Sequence, residues 1–238
     1  MTISTSYDYS TTRDSIIKGA LRILGVLPTG ATPSAAQVTD ASEALNQIIK
    51  AWGAESAPIW TIKKQTIPLT NAVNMYAIGS GQTVNIPKPL KIYQALLHDT
   101  TDEIDIPLIG KSQEEYQRLS QKESSGQPVH YYFENLRDFG NLYVYPTPDS
   151  TTAADKTIQI IYQAPLADFD TASDEPDVPQ EGIRALKWVL ASELCMEYGV
   201  PENRIKVIMT NAELRKIEFF NSIYENTSLF FKVDTSHG

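Results

Sequence analysis

The chain has 238 residues, enough to bury a real core, and carries 29 acidic against 20 basic residues for a formal net charge of −9. That balance argues against a protein that grips duplex DNA by neutralising phosphates, although a weakly repulsive wall suits DNA that must slide past without sticking. A single cysteine excludes an internal disulfide framework, and no apolar run approaches the ~20 residues that would cross a bilayer.

The N-terminal stretch MTISTSYDYSTTRD has neither a basic start nor an apolar h-region, so a cytoplasm-like compartment is expected. Residues 1–11 read as an arm. A first helix is expected from Thr11 or Thr12 as N-cap, with Asp14 at the positive end of the dipole. Ile16, Ile17, Ala20, Leu21 and Leu24 recur at helical spacing, and Gly25 ends the helix. After the turn-rich VLPTGAT, Thr32 is expected to cap a second helix with Pro33 at its first position. Val38, Ala41, Leu45, Ile48 and Trp52 form its apolar stripe, widened by Ile49; Asp40, Glu43, Asn46 and Lys50 face away, and Gly53 stops it.

From Ile59 to about Leu166 the texture changes to short β-type runs bounded by Pro, Gly, Asn and Asp. Strands are expected in IWTIKKQTIPL, NMYAI, KPLKIYQALLHD, IDIPLI, VHYYFEN, NLYVYPTP and TIQIIYQAPL. Ser112 to Lys122 reads as a short helix with Ser112 and Glu115 at capping-box spacing. HYYFENLRDFGNLYVYP reads as a hairpin with a loop containing Asp138 and Gly140, and it is crowded with Tyr131, Tyr132, Phe133, Tyr143 and Tyr145.

Helical patterning returns after the acidic linker DFDTASDEPDVP. A third helix is expected over about Gln180 to Tyr198, with Ile183, Leu186, Val189, Leu190 and Leu194 inward and Gly199 closing it. A fourth, opened by Pro201 and Glu202, runs to about Tyr224 with Val207, Ile208, Leu214, Ile217, Phe220 and Ile223 or Tyr224 along its side. The tail NTSLFFKVDTSHG is polar except for Leu229, Phe230, Phe231 and Val233, and a polar end carries such side chains when they dock into a partner subunit or fold back onto the chain's own bundle. The expected fold class is α+β: a four-helix bundle from residues 12–58 and 178–226, a β-rich domain (59–177) inserted between helices two and three, and a C-terminal tail (227–238).

Signs of chemistry are sparse. There is no GxxxxGK[ST], and AIGSGQTVNIP lacks the strand-loop-helix setting of a phosphate cradle. No Cys/His pair has zinc spacing and no HExxH occurs. Cys195 lies in an apolar helical run, and His98, His130 and His237 share no motif with it. The acidic clusters DTTDEIDIP and DFDTASDEPD read as solvated connections. Two carboxylates paired across a cleft would leave no mark in the spacing, so an enzyme is open but unsupported, and the expectation is a non-enzyme without cofactor or metal.

The order of these features resembles the head-to-tail adaptor (head completion) proteins of tailed bacteriophages, a group that includes packaged-DNA stabilisation or tail accessory factors. The resemblance rests on RDSIIKGALRILGVL, the Pro/Gly/Thr loop, QVTDASEALNQIIKAWG, PVHYYFENLRDFGNLYVYPTPD, TIQIIYQAPL, an acidic linker and ALKWVLASELCMEYGVP, about residues 12 to 225. Compact members run from the second helix to the later ones with little between, whereas about a hundred β-rich residues intervene here.

The resemblance implies a virion protein at the head–tail neck, assembled in the host cytoplasm as a homo-oligomeric ring, typically a dodecamer, beneath the portal protein. Such a ring extends the channel for passing double-stranded DNA, helps retain the genome and offers a platform to a tail nozzle, tail tube or tail fibre protein; no membrane is involved. It implies a helical core and ring interface at Leu21, Leu24, Leu45, Ile48, Trp52, Leu186, Leu190 and Leu194. It also implies portal docking through the tail at Leu229, Phe230, Phe231 and Val233. The hairpin aromatics Tyr131, Phe133, Tyr143 and Tyr145 of the inserted domain are read as ordinary β packing, because strands favour aromatics. Two other readings remain open from sequence: a nozzle or terminator layer of the neck, and a virion-associated peptidoglycan-degrading enzyme.

Overall fold

A computed structural model describes residues 9–55 and 59–223. The chain is α+β, with six α-helices and two four-stranded sheets among the described residues. It divides into two compact units. One comprises the described residues up to Ile48 together with those from Phe169 onward; the other is Ile49–Asp168.

In the discontinuous unit, α1 (Arg13–Leu24) is capped by Thr12, whose side chain accepts from the Ser15 amide. It buries the five residues its periodicity singles out, Ile16, Ile17, Ala20, Leu21 and Leu24. Gly25 closes it at φ 75°, donating its N–H to the carbonyls of Leu21 and Arg22, a left-handed cap that favours glycine. Helix α2 (Ala35–Glu55) starts later than the Thr32 cap would place it. Ser34 is the capping residue: the Gln37 amide donates to Ser34 Oγ at 3.3 Å, and the Ser34 amide to Gln37 Oε1 at 2.9 Å, a reciprocal box that Pro33 merely precedes.

The third expected helix breaks into a 3₁₀ turn at Gln180–Gly182 and the helix α5 (Ile183–Leu194). Gly199 takes φ 59° beyond it. α5 packs against both α1 and the last helix, α6 (Glu202–Ile223). The approach to α1 is close enough that the aliphatic stem of Lys187 lies where a side chain at Gly19 would begin.

The division between units falls within α2, whose last turns belong to the β-rich unit. Gly53 does not stop the helix, which runs on to Glu55; its carbonyl accepts from the buried Gln163 side chain at 2.8 Å. Lys50 reaches the Leu166 carbonyl at 3.0 Å and the Asp168 carboxylate at 2.7 Å.

The first sheet has the order β1 (Ile62–Pro68), β8 (Lys156–Gln163), β3 (Lys91–Asp99), β4 (Ile104–Pro107), antiparallel throughout. β8 is central, which accounts for its near-continuous apolar run IQIIY. In β3 a bulge between Ile92 and Gln94 shifts the alternation, so that Ile92 and then Ala95 and Leu97 face the core. The second sheet runs β2 (Met75–Ile78), β7 (Gly140–Tyr145), β6 (His130–Asn135), β5 (Ile109–Gly110), with only the β5–β6 pair parallel.

The sequence IDIPLI, expected as one strand, is split between the sheets. Pro107 has no N–H for the ladder, and Leu108 turns inward with its amide on the Ala95 carbonyl. Both sheets face one core, in which Ile67, Ile78, Leu97, Leu142, Ile158 and Ile160 are almost wholly buried.

Two short helices complete this unit. α3 (Gln113–Gln117) has the expected Ser112/Glu115 capping box but ends early, because Tyr116 is its only buried anchor. α4 (Ser150–Asp155) is not anticipated by the periodicity; Asp149 caps it by accepting from the Thr152 amide at 2.7 Å.

Candidate protein–protein interface

Helix α6 has two apolar faces rather than one. Ile208, Ala212, Phe219 and Phe220 are buried within the subunit. Val207, Leu214 and Ile217 are 57, 46 and 47% exposed. Spacings of seven and three place these three along one stripe of the helix, well round the cylinder from Ile208, Ala212 and Phe219. The apolar sequence of α6 therefore serves its own fold and a second surface, a duality that a single hydrophobic stripe cannot reveal. Side chains of this size held out along one seam have the pattern by which helices dock on one another.

The eight helical residues assigned to core and ring interface, Leu21, Leu24, Leu45, Ile48, Trp52, Leu186, Leu190 and Leu194, are all buried inside the chain itself. The hairpin exists, with Tyr131 opposite Val144 and Phe133 opposite Leu142. Its aromatic residues, however, divide between two faces. Tyr131 and Phe133 pack against the core, while Tyr143 pairs with Tyr132, and Tyr145 with His130, on the other side. The tail residues Leu229, Phe230, Phe231 and Val233 lie outside the described residues.

The acidic clusters are largely exposed, as solvated connections would be, and are tied down by ion pairs and hydrogen bonds. His98 sits between Asp105 (Nδ1 to Oδ1, 2.8 Å) and Glu103 (Nε2 to Oε2, 3.7 Å). Asp99 pairs with Lys156 and accepts from the amides of Thr101 and Asp102; the Lys156 hydrogen bond foremost, with these amides, holds its pKa at about 2. Asp174 gathers its linker by accepting from the Thr171 hydroxyl and from the amides of Asp170 and Thr171. Its pKa is lowered, first by the hydroxyl.

Among the described residues no group of three or more His, Cys, Asp and Glu side chains is placed to hold a metal ion, and no helix is long and apolar enough to cross a membrane. Cys195 is buried, with its thiol donating to the Ser192 carbonyl at 3.0 Å. The arrangement offers contact surfaces and ion pairs that tie loops down.

Comparison with curated proteins gives no match. A family model described as SU10 adaptor protein matches residues 11–213, from just before α1 into α6, and on that match the chain belongs to the SU10 adaptor proteins, a phage head-to-tail adaptor family.

Proposed function

We propose that this chain is a structural virion protein whose copies assemble as a ring, a dodecamer by family resemblance, under the portal at one capsid vertex. The ring extends the DNA channel, helps retain the packaged genome and presents a platform to a nozzle, tail tube or fibre protein. In this reading the N- and C-terminal helix pairs form a four-helix bundle that carries the ring. The β-rich unit meets neck partners, and the protein has no catalytic role.

The observation that carries the proposal is the family match over residues 11–213. The outward stripe of α6 supports it, because a ring subunit needs one apolar face for its own core and another for its neighbour. With Leu21, Leu24, Leu186, Leu190 and Leu194 enclosed in the chain, Val207, Leu214 and Ile217 form an exposed apolar stripe of α6 that can meet a second subunit. The formal charge of −9 suits a wall past which DNA moves without sticking.

Leu229, Phe230, Phe231 and Val233 are assigned to portal docking. One such tail offers only a small contact and binds weakly, and ring multiplicity raises the avidity through effective concentration. Deleting residues 227–238 tests the assignment by co-sedimentation with purified portal rings. The truncated chain should keep its circular dichroism spectrum and lose attachment; undiminished attachment would remove the tail from the docking role.

A further inference from the structure

Strand alternation places His130, Tyr132 and Glu134 of β6 opposite Tyr145, Tyr143 and Asn141 of β7, on the face of the second sheet turned away from the core. α3 adds Tyr116 to this face. Its ring centroid lies 5.5 Å from that of Tyr132 and 5.4 Å from that of Tyr143, which are themselves 5.8 Å apart. A cavity of about 300 Å³ opens against the three tyrosines, bordered by Glu134, Glu123 and Lys122. Lone aromatic residues on a sheet surface are ordinary. Three phenol rings meeting at a cavity whose charged border carries two carboxylates and one ammonium are not.

Glu134 is fixed in place. Its Oε2 accepts from the Tyr143 hydroxyl at 3.2 Å and from Asn141 Nδ2 at 3.1 Å, while Oε1 accepts from no described residue. The carboxylate therefore arrives oriented by two donors on one oxygen with the other oxygen open. The tyrosine faces already attract a cation from the chain itself: Lys122 Nζ stands 5.5 Å from the Tyr116 ring centre, held by Gln117 Oε1 at 2.5 Å. The negative field is felt by the phenols, since burial first and the Glu134 charge second raise the pKa values of Tyr132 and Tyr143.

We propose that this cavity receives an arginine side chain of a partner protein, its guanidinium donating to Glu134 Oε1 and its plane lying against the Tyr132–Tyr143 pair. Guanidinium fits better than ammonium because it is flat, weakly hydrated and brings several donors in one plane, matching stacked rings beside an oriented carboxylate. The site is built within the β-rich unit alone, so it stands or falls separately from the ring assembly.

The test uses the full chain with N-acetyl-arginine amide as probe and N-acetyl-citrulline amide as its neutral isostere, followed through the tyrosine ring resonances by NMR. Arginine amide should shift Tyr132 and Tyr143 saturably. Citrulline amide should bind about tenfold more weakly, the gap between a charged and a neutral hydrogen bond. Glu134→Gln keeps an acceptor for Tyr143 and Asn141, so the fold should hold while arginine binding falls to the citrulline level.

Lys122→Gln removes the resident cation and should tighten arginine binding by about two- to fivefold, the scale of an exposed cation–π contact. Equal binding of the two probes, arginine binding indifferent to Glu134→Gln, or the absence of saturable shifts would overturn the proposal. So would a neutral sugar such as maltose shifting the same rings while arginine amide does not, which would reassign the cavity to carbohydrate.

Discussion

Arg204, in the first turn of α6, donates from Nη2 to the Ile23 carbonyl at 3.0 Å, and its guanidinium occupies the space where a side chain at Gly25 would begin, 2.5 Å from that position. A cation thus sits at the negative end of α1, against a glycine whose φ of 75° already closes the helix. Gly25→Ala should cost about 1–2 kcal/mol from the left-handed backbone alone. Arg204→Ala should cost about 1 kcal/mol. Because Gly25→Ala also displaces the guanidinium, the double variant should lose less than the sum in chemical denaturation. Strict additivity would contradict the contact.

Asn46 and Gly53 of α2 should respond in opposite directions. Asn46 accepts from the Phe169 amide at 2.9 Å and donates to its carbonyl at 3.2 Å, a two-bond clamp on the chain returning to the helices. Asn46→Ala removes both bonds and should destabilise by about 1–3 kcal/mol. A side chain at Gly53 would meet Leu166 only at ordinary contact distance, 3.8 Å. Gly53→Ala should therefore stabilise by about 0.5–1 kcal/mol through helix propensity. A melting-temperature decrease in the second variant would show that the packing at Leu166 has less room than this.

These two positions also mark where sequence reasoning reached and where it ended. α1 was legible end to end, because Thr12, Asp14, five apolar residues and Gly25 all report local geometry. The strands of the β-rich unit were legible as runs, since Pro, Gly and Asn punctuate them. Asn46 reads from sequence as facing away because its partner lies far along the chain, at Phe169, where no periodicity can point. Gly53 read as a stop because propensity scales carry no knowledge of α2's tertiary support.

The two faces of α6 were hidden for a related reason. Val207, Leu214 and Ile217 are as apolar as Ile208 and Phe219, and only the position of α5 shows which set turns inward. The tyrosine cavity needed Tyr116, the one buried residue of a five-residue helix, to be brought onto a hairpin that the sequence showed only as aromatic-rich.

Acidification should weaken the β-rich unit through Asp99. Its carboxyl ionises at about 2 in the folded chain against an ordinary 3.8, so the folded state binds that proton less readily than the unfolded state. The stabilisation is complete above about pH 4 and is lost as pH falls through about 2. In urea titrations across that window, Asp99→Asn should flatten this part of the decline; an unchanged slope would show that Lys156 does not hold the carboxylate.

The outward stripe of α6 yields a prediction that separates assembly from folding. Leu214→Lys combined with Ile217→Lys puts two charges on exposed positions, so monomer stability should stay within about 0.5 kcal/mol per site. Self-association and ring formation should be lost, as read by sedimentation velocity. Normal assembly of this double variant would move the subunit contact elsewhere on the chain.

The adaptor reading meets its most direct test in the mass of this protein in solution, alone and after mixing with its portal ring, by light scattering behind a sizing column. The account predicts a low-order species that shifts to a saturating complex with a fixed ratio of this chain to portal subunits. A species whose elution and mass ignore the portal at every mixing ratio would contradict it.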